Sequence, residues 1–182
     1  MDAITGESIS YPKLLELTCS LAESLRKSGY GINTVVSVSS ENNIQFFIPV
    51  IASLFIGATV APVNHNYTDH ETVHSLTICQ PKVVFCSKAV TEKFVNLKNT
   101  KLDFIEKIIV IDSDEAVYGA ETMDEFVRTT LKGYNPLRRF QLAEFDNSKH
   151  IALIMCSSGT TGLPKGVMQT HSNMMVRYMH SM

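Results

Sequence analysis

What this sequence lacks narrows it first. It has no excess of positive charge: 16 Lys and Arg stand against 18 Asp and Glu, a formal net charge of -2 over 182 residues. With that balance and a pI near 6.3, a phosphate backbone gains no broad electrostatic attraction, so no nucleic-acid binding is expected. No run reaches 18 uninterrupted apolar residues, which predicts no membrane span, and Met1 to Ser10 lacks the basic and then apolar order of a signal peptide. A soluble, intracellular protein is the expectation. The four cysteines, Cys19, Cys79, Cys86 and Cys156, form no C-x-x-C pair, which fits neither a structural zinc site nor a disulfide framework. Internal repeats and low-complexity tracts are missing too. Hydrophobic residues at 45% and charged residues at 19% exclude a disordered chain, a collagen and a coiled coil. The length suits one full domain, or one and a piece.

What is present alternates. Ser10 can cap a helix that tolerates Pro12 in its first turn, with Leu14, Leu17, Leu21 and Leu25 on one face until Gly29. Val35 to Ser39 is a β-branched run. Ile44 to Ile56 is too long for a strand and reads as a buried helix opened by Asn42 or Asn43 and kinked by Pro49. Strands are predicted over Thr59 to Val63, Lys82 to Cys86 and Lys107 to Ile111. Helices are predicted from Thr68 or Asp69 to Gln80, over Lys88 to Asn99 and over Met123 to Leu131. The fold class is therefore α/β, a mostly parallel sheet flanked by helices. Residues 1–131 form an α/β subdomain. Residues 132–149, with Gly133, Pro136, Arg138 and Arg139, form a linking segment. Residues 150–182 hold a final strand, Ile151 to Cys156, then a loop and the start of a helix.

That loop carries the chemistry. Ser157-Ser158-Gly159-Thr160-Thr161-Gly162-Leu163-Pro164-Lys165-Gly166 combines hydroxyls, glycines and one lysine. Glycine allows close backbone approach, hydroxyls and free N–H groups donate to oxyanions, and an ammonium offsets phosphate charge. The alternative is a plain Gly/Ser turn between two strands. G-x-x-x-x-G-K-[ST] fails, because Gly166 stands where Ser or Thr should follow Lys165, and no G-x-G-x-x-G is present.

Extended through Val167, Thr170-His171 and Asn173, this segment resembles the signature loop of the adenylate-forming (AMP-binding) enzymes: acyl-CoA synthetases, 4-coumarate:CoA ligases and beetle luciferases. Ser39-Ser40-Glu41-Asn42, Gln45-Phe46-Phe47, Leu54 to Ala58 and Ala61-Pro62-Val63-Asn64 are similar to the amino-terminal half of beetle luciferases, as are Lys107 to Ile109 and Val176-Arg177. The resemblance implies part of a large amino-terminal domain in which a carboxylic acid attacks Mg-ATP to give an acyl-adenylate. Coenzyme A, or oxygen in a luciferase, then reacts with that adenylate. It further implies phosphate contacts from Ser157, Ser158, Gly159, Thr160, Thr161, Gly162 and Lys165, with Lys165 facing the leaving pyrophosphate as the catalytic residue. Arg177 would line the acyl or luciferin pocket. Cys156 departs from the Asn common in luciferases. The motifs for ribose, metal and the mobile carboxy-terminal domain would lie past Met182, so a fragment is expected, inactive alone and prone to self-association. Its expected compartment is the cytoplasm or the peroxisome.

Two other readings compete with the enzyme. One is a non-catalytic nucleotide-binding or interaction module. The other is a zinc protease: His70-Glu71-Thr72-Val73-His74 matches H-E-x-x-H, which on a helix sets two imidazoles one turn apart with Glu as base. Ordinary amphipathic packing of that helix through Val73, Leu76 and Cys79 accounts for the same residues, and no metal ligand is assigned.

Overall fold

The computed structural model describes residues 6–157 and 165–179, the last three by backbone alone. Helix α1, Tyr11–Lys27, starts where the Ser10 hydroxyl accepts from the Lys13 N–H at 3.4 Å, and it ends with Arg26 and Lys27 against its negative pole. Strand β1 is Val35–Ser39. Helix α2, Phe47–Phe55, follows one 3-10 turn, Ile44–Phe46, capped by Asn43. Strand β2 is Thr59–Pro62 and helix α3 is Asp69–Cys79. Strand β3, Val83–Cys86, leads through a 3-10 turn into α4, Thr91–Thr100. Strands β4, Lys107–Val110, and β5, Glu121–Thr122, precede α5, Met123–Leu131. Residues 132–150 hold no regular element. Strands β6, Ile151–Ser157, and β7, Lys165–Thr170, lead into α6, His171–Met179.

The seven strands form one sheet in the order β5-β4-β3-β1-β2-β6-β7, parallel except for the antiparallel β6–β7 pair. Crossovers between parallel strands are right-handed, so the direction of each step selects the face of its helix. The step from β1 to β2 runs one way and puts α2 beside α1 and α5. The steps from β2 to β3 and from β3 to β4 run the other way and put α3 and α4 on the opposite face. Both faces of the central strands are thereby covered. In β3, Val83 and Phe85 face Leu21, Leu25, Ile48 and Phe126, while Val84 and Cys86 face Leu76, Phe94 and Leu97. A strand buried on both faces reads as a continuous apolar run, which is why Val83–Cys86 shows no alternation. Each fully buried Leu, Ile, Val or Phe here contributes about 1.5–3 kcal/mol of transfer free energy.

Three expectations need correction. Pro49 falls in the first turn of α2, where its missing N–H has no helical partner to lose, and a 3-10 turn ahead of the helix takes the place of the expected kink. Ile151 to Cys156 is not the final strand, because β7 pairs back onto it. The two-residue strand β5 was not anticipated either; it exists through tertiary pairing of Ile109 with Glu121 and Val110 with Thr122.

Candidate functional site

The connection after β1 goes to one face of the sheet and those after β2 and β3 to the other. In open α/β sheets, ligands bind outside the carboxyl ends of the strands at such a switch point. That edge carries Ser40 and Glu41 after β1, Asn64 to Tyr67 after β2, and Ser87 after β3. Burial raises the Glu41 carboxyl, but the Ser87 hydroxyl, its own backbone N–H, His65 and the Ser40 hydroxyl lower it further, so it ends below the usual range. The Lys93 ammonium donates to the carbonyls of His65 at 3.0 Å and Tyr67 at 2.9 Å, fixing the turn that follows β2. Burial depresses Lys93 and Asp69 opposes that depression.

Strand β6 brings Ser157 to the same edge, and Ser157 pairs directly with Lys165 at the start of β7. Directly opposed residues on an antiparallel pair hold their Cβ atoms about 4.5–5.5 Å apart on one face. The next pair down, Cys156 with Gly166, faces α3: a Cβ at Gly166 would lie 3.1 Å from Ile78 Cγ2 and 3.3 Å from Ile154 Cγ2. By the two-residue alternation of strands, Ser157 and Lys165 therefore point away from α3. Both are exposed. A hydroxyl and an ammonium thus stand side by side at the end of a hairpin, a donor and a cation suited to an oxyanion.

Of the predicted phosphate ligands, Ser157 and Lys165 are brought together in this way, as strand residues and not as part of a loop. Ser158, Gly159, Thr160, Thr161 and Gly162 lie outside the described residues. Arg177 falls on the backbone of α6, and its side chain lies outside them too. The His70-Glu71-His74 pattern sits on α3, where Glu71 is committed to the helix start. Its Oε2 accepts from the Thr68 N–H and Oγ–H, both at 2.8 Å, completing a capping box with Thr68. Those two donors hold the Glu71 carboxyl below its usual range. Among the described residues no group of three or more His, Cys, Asp or Glu could hold a metal ion.

Thr170 and Asn173 gain a role the sequence reading did not assign. Thr170 Oγ1 accepts from the Asn173 N–H at 3.2 Å, while Asn173 Oδ1 accepts from the Thr170 N–H at 3.0 Å and from its hydroxyl at 2.9 Å. This reciprocal cap turns β7 into α6, and the T-x-x-N spacing could have revealed it. Phe145 and His150 were missed altogether. They stack with His171, a contact between distant segments that leaves no periodic trace in the sequence.

A profile of the AMP-binding enzyme family matches residues 2–182. The chain belongs to this family. Among its relatives, the luciferin 4-monooxygenase of Photuris pensylvanica is 41% identical over 179 residues, covering 98% of this chain and 33% of that protein. The luciferin 4-monooxygenase of Photinus pyralis is 43% identical over 181 residues, covering 99% and 32%. The solved red-emitting luciferase of Phrixothrix hirtus superposes with a TM-score of 0.93 at 43% identity, covering all of this chain and 43% of that one. A luciferase-like enzyme from the nonluminescent mealworm Zophobas morio gives 0.82 at 26% identity, covering 94% and 38%. The chain therefore spans about a third of the length of its curated luciferase relatives. Its sheet and helices are the amino-terminal part of the adenylate-forming fold.

Proposed function

We propose that the chain supplies the phosphate-gripping hairpin of an ATP-dependent, luciferase-like carboxylate ligase. In the reaction, a carboxylate oxygen attacks the α-phosphorus of ATP, the bond to the bridging oxygen breaks, and pyrophosphate leaves. Such transfers need positioning and charge neutralisation more than covalent help. The observation that carries the reading is the Ser157–Lys165 pair at the carboxyl edge of the parallel sheet. In this reading the Lys165 ammonium offsets charge on the leaving pyrophosphate. Ser157, with Ser158, Gly159, Thr160, Thr161 and Gly162 between the strands, donates to the phosphate oxygens. Arg177 lines the acyl or luciferin pocket. Magnesium enters as the counter-ion of ATP, and the described residues offer it no ligand set. Coenzyme A would accept the acyl group in a later step.

Lys165→Ala in the enzyme that carries this chain is expected to slow ATP–pyrophosphate exchange about a hundredfold, the usual loss on removing one preorganised charge stabiliser. Unchanged exchange overturns the role of Lys165. ATP binding without any exchange in the unaltered enzyme would favour the nucleotide-binding module instead.

A further inference from the structure

The hairpin that carries Ser157 and Lys165 joins the parallel sheet through β6, and its side-chain hydrogen bonds to that sheet lie at its base. Between β2 and β6 the ladder pairs Val60 with Leu153 and goes no further. The sequence explains why. The N–H groups of Thr59 and Val63 bond to Thr34 and Val38 on the β1 side, so by alternation the donors at 60 and 62 face β6. Residue 62 is proline and has none. Toward the base the ties concentrate: Thr59 Oγ1 donates to the Ile151 carbonyl at 2.9 Å, and His150 Nε2 lies 2.7 Å from the Gly57 carbonyl, which it must meet as a donor. His150 stands one residue before β6 and His171 one residue after β7. Their rings stack 5.7 Å apart with 22° between planes, and both lie on Phe145, at 4.2 Å and 4.7 Å. The His171 N–H also donates to the His150 carbonyl at 3.3 Å.

We infer that His150, His171 and Phe145 form a proton-sensitive clasp that positions the hairpin, so that acidification loosens the strand pair carrying Ser157 and Lys165. Among the described residues His171 Nε2 is buried with no hydrogen-bond partner, so a proton added there gains no acceptor from them. Burial, and then His150, push the His171 imidazole below its ordinary value. An imidazole lowered in this way binds its proton more weakly in the folded state than in the open state. The clasp is therefore intact at neutral pH and weakens as pH falls below about 6.5, the unfolded value. A positive charge on the His171 ring is thus opposed by burial and by the His150 ring 5.7 Å away. The other groups around His171 do not rescue its charged form. Leu54 and Phe55 of α2 bring no charge, and Asn147 meets the start of α6 through its carbonyl. Asp146 is held by the Ser148 N–H and hydroxyl and by Lys149. Glu144, the remaining carboxylate lining this depression, is exposed to solvent.

The test uses the full 182-residue chain. Amide hydrogen exchange, corrected for intrinsic rates, is compared at pH 7.5 and 5.5 for residues 151–157 and 165–170, with β1 and β3 as internal references. Protection of the hairpin should fall at pH 5.5 by up to about tenfold, the ceiling for a pH one unit below the ordinary imidazole value of 6.5, while β1 and β3 hold. His171→Phe keeps a ring on Phe145 and removes the proton site, so its hairpin protection should be independent of pH. Equal protection of the wild-type hairpin at both pH values overturns the clasp, and so does an unchanged pH dependence in His171→Phe. The importance of the clasp for ATP rests on the function proposed above, so ATP is titrated in parallel into the enzyme that carries this chain. Absence of ATP binding there at both pH values, with the exchange result intact, overturns the phosphate reading and leaves the clasp standing.

Discussion

A methyl group at position 166 would fit only if two side chains gave way by a few tenths of an ångström. Ile78 and Ile154 already stand 3.1 Å and 3.3 Å from the place a Cβ would occupy. Gly166→Ala should therefore cost about 1–3 kcal/mol, the usual range for forced overpacking. Ile78→Val in the same chain should recover part of the loss, measured as the shift in urea midpoint. Gly57 is held more tightly. Its φ of +72° is one that side-chain-bearing residues rarely adopt, and a Cβ would meet Ile32 at 2.9 Å and Phe145 at 3.0 Å. Gly57→Ala is expected to be worse than Gly166→Ala, because backbone strain adds to the clash and pushes Phe145 out of the histidine stack. Glu41 sets a second pH window. Its folded value lies below the ordinary 4.5, so the stability it contributes is full above that pH and is lost as pH falls through the folded value. Glu41→Gln should flatten the acid limb of a stability–pH curve below about pH 4.5, well separated from the histidine window.

Among the elements, the β6–β7 hairpin has a short ladder to the parallel sheet. Pro62 ends its ladder to β2, and the outer strand β7 is half solvent-facing. Thr170→Ala removes the hydroxyl side of the α6 cap and should cost about 1 kcal/mol, seen as faster exchange in 171–176 before any change in β1. Helix α3 makes a cleaner case, because its H-E-x-x-H pattern and its capping box claim the same glutamate. With Glu71 bonded to Thr68, chelation should leave the thermal midpoint unchanged, and protein purified without a His-tag should hold far less than one zinc per chain. One zinc per chain, lost in His70→Ala, would refute that assignment. The legibility of the elements followed from their chemistry. Met123–Leu131 was readable because Thr122 caps it with the Glu125 N–H at 3.1 Å and its apolar residues recur at helical spacing. Strand β7 was not, because glycine, methionine and glutamine at 166–169 carry no β-pattern and its exposure to water removes the need for one.

At the scale of the whole molecule, one side stays unfinished. Met155, Val167, Met168, Met175 and Val176 are between 40% and 67% exposed, all on the β6–β7–α6 end of the chain. Exposed apolar area of this kind favours association, so sedimentation of the 182-residue chain should show oligomers, and Met168→Lys should shift them toward monomer. The same chain alone should give no measurable pyrophosphate exchange. It spans about a third of the length of its relatives, and catalysis by positioning fails when most positioning contacts are missing. No helix among the described residues is long and apolar enough to cross a membrane.

The sequence by itself determined the starts of α1, α3 and α5, the doubly buried strands and the family. These depend on residues a few positions apart, where caps, apolar spacing and a glycine–hydroxyl–lysine run act locally. Only the tertiary structure decided that Lys165 opens a strand opposite Ser157, that β2 pairs with β6 at Val60 and Leu153, and that His150 and His171 meet over Phe145. Each of these joins segments distant along the chain, and their pairing is fixed by sheet order and helix placement, which local periodicity does not encode.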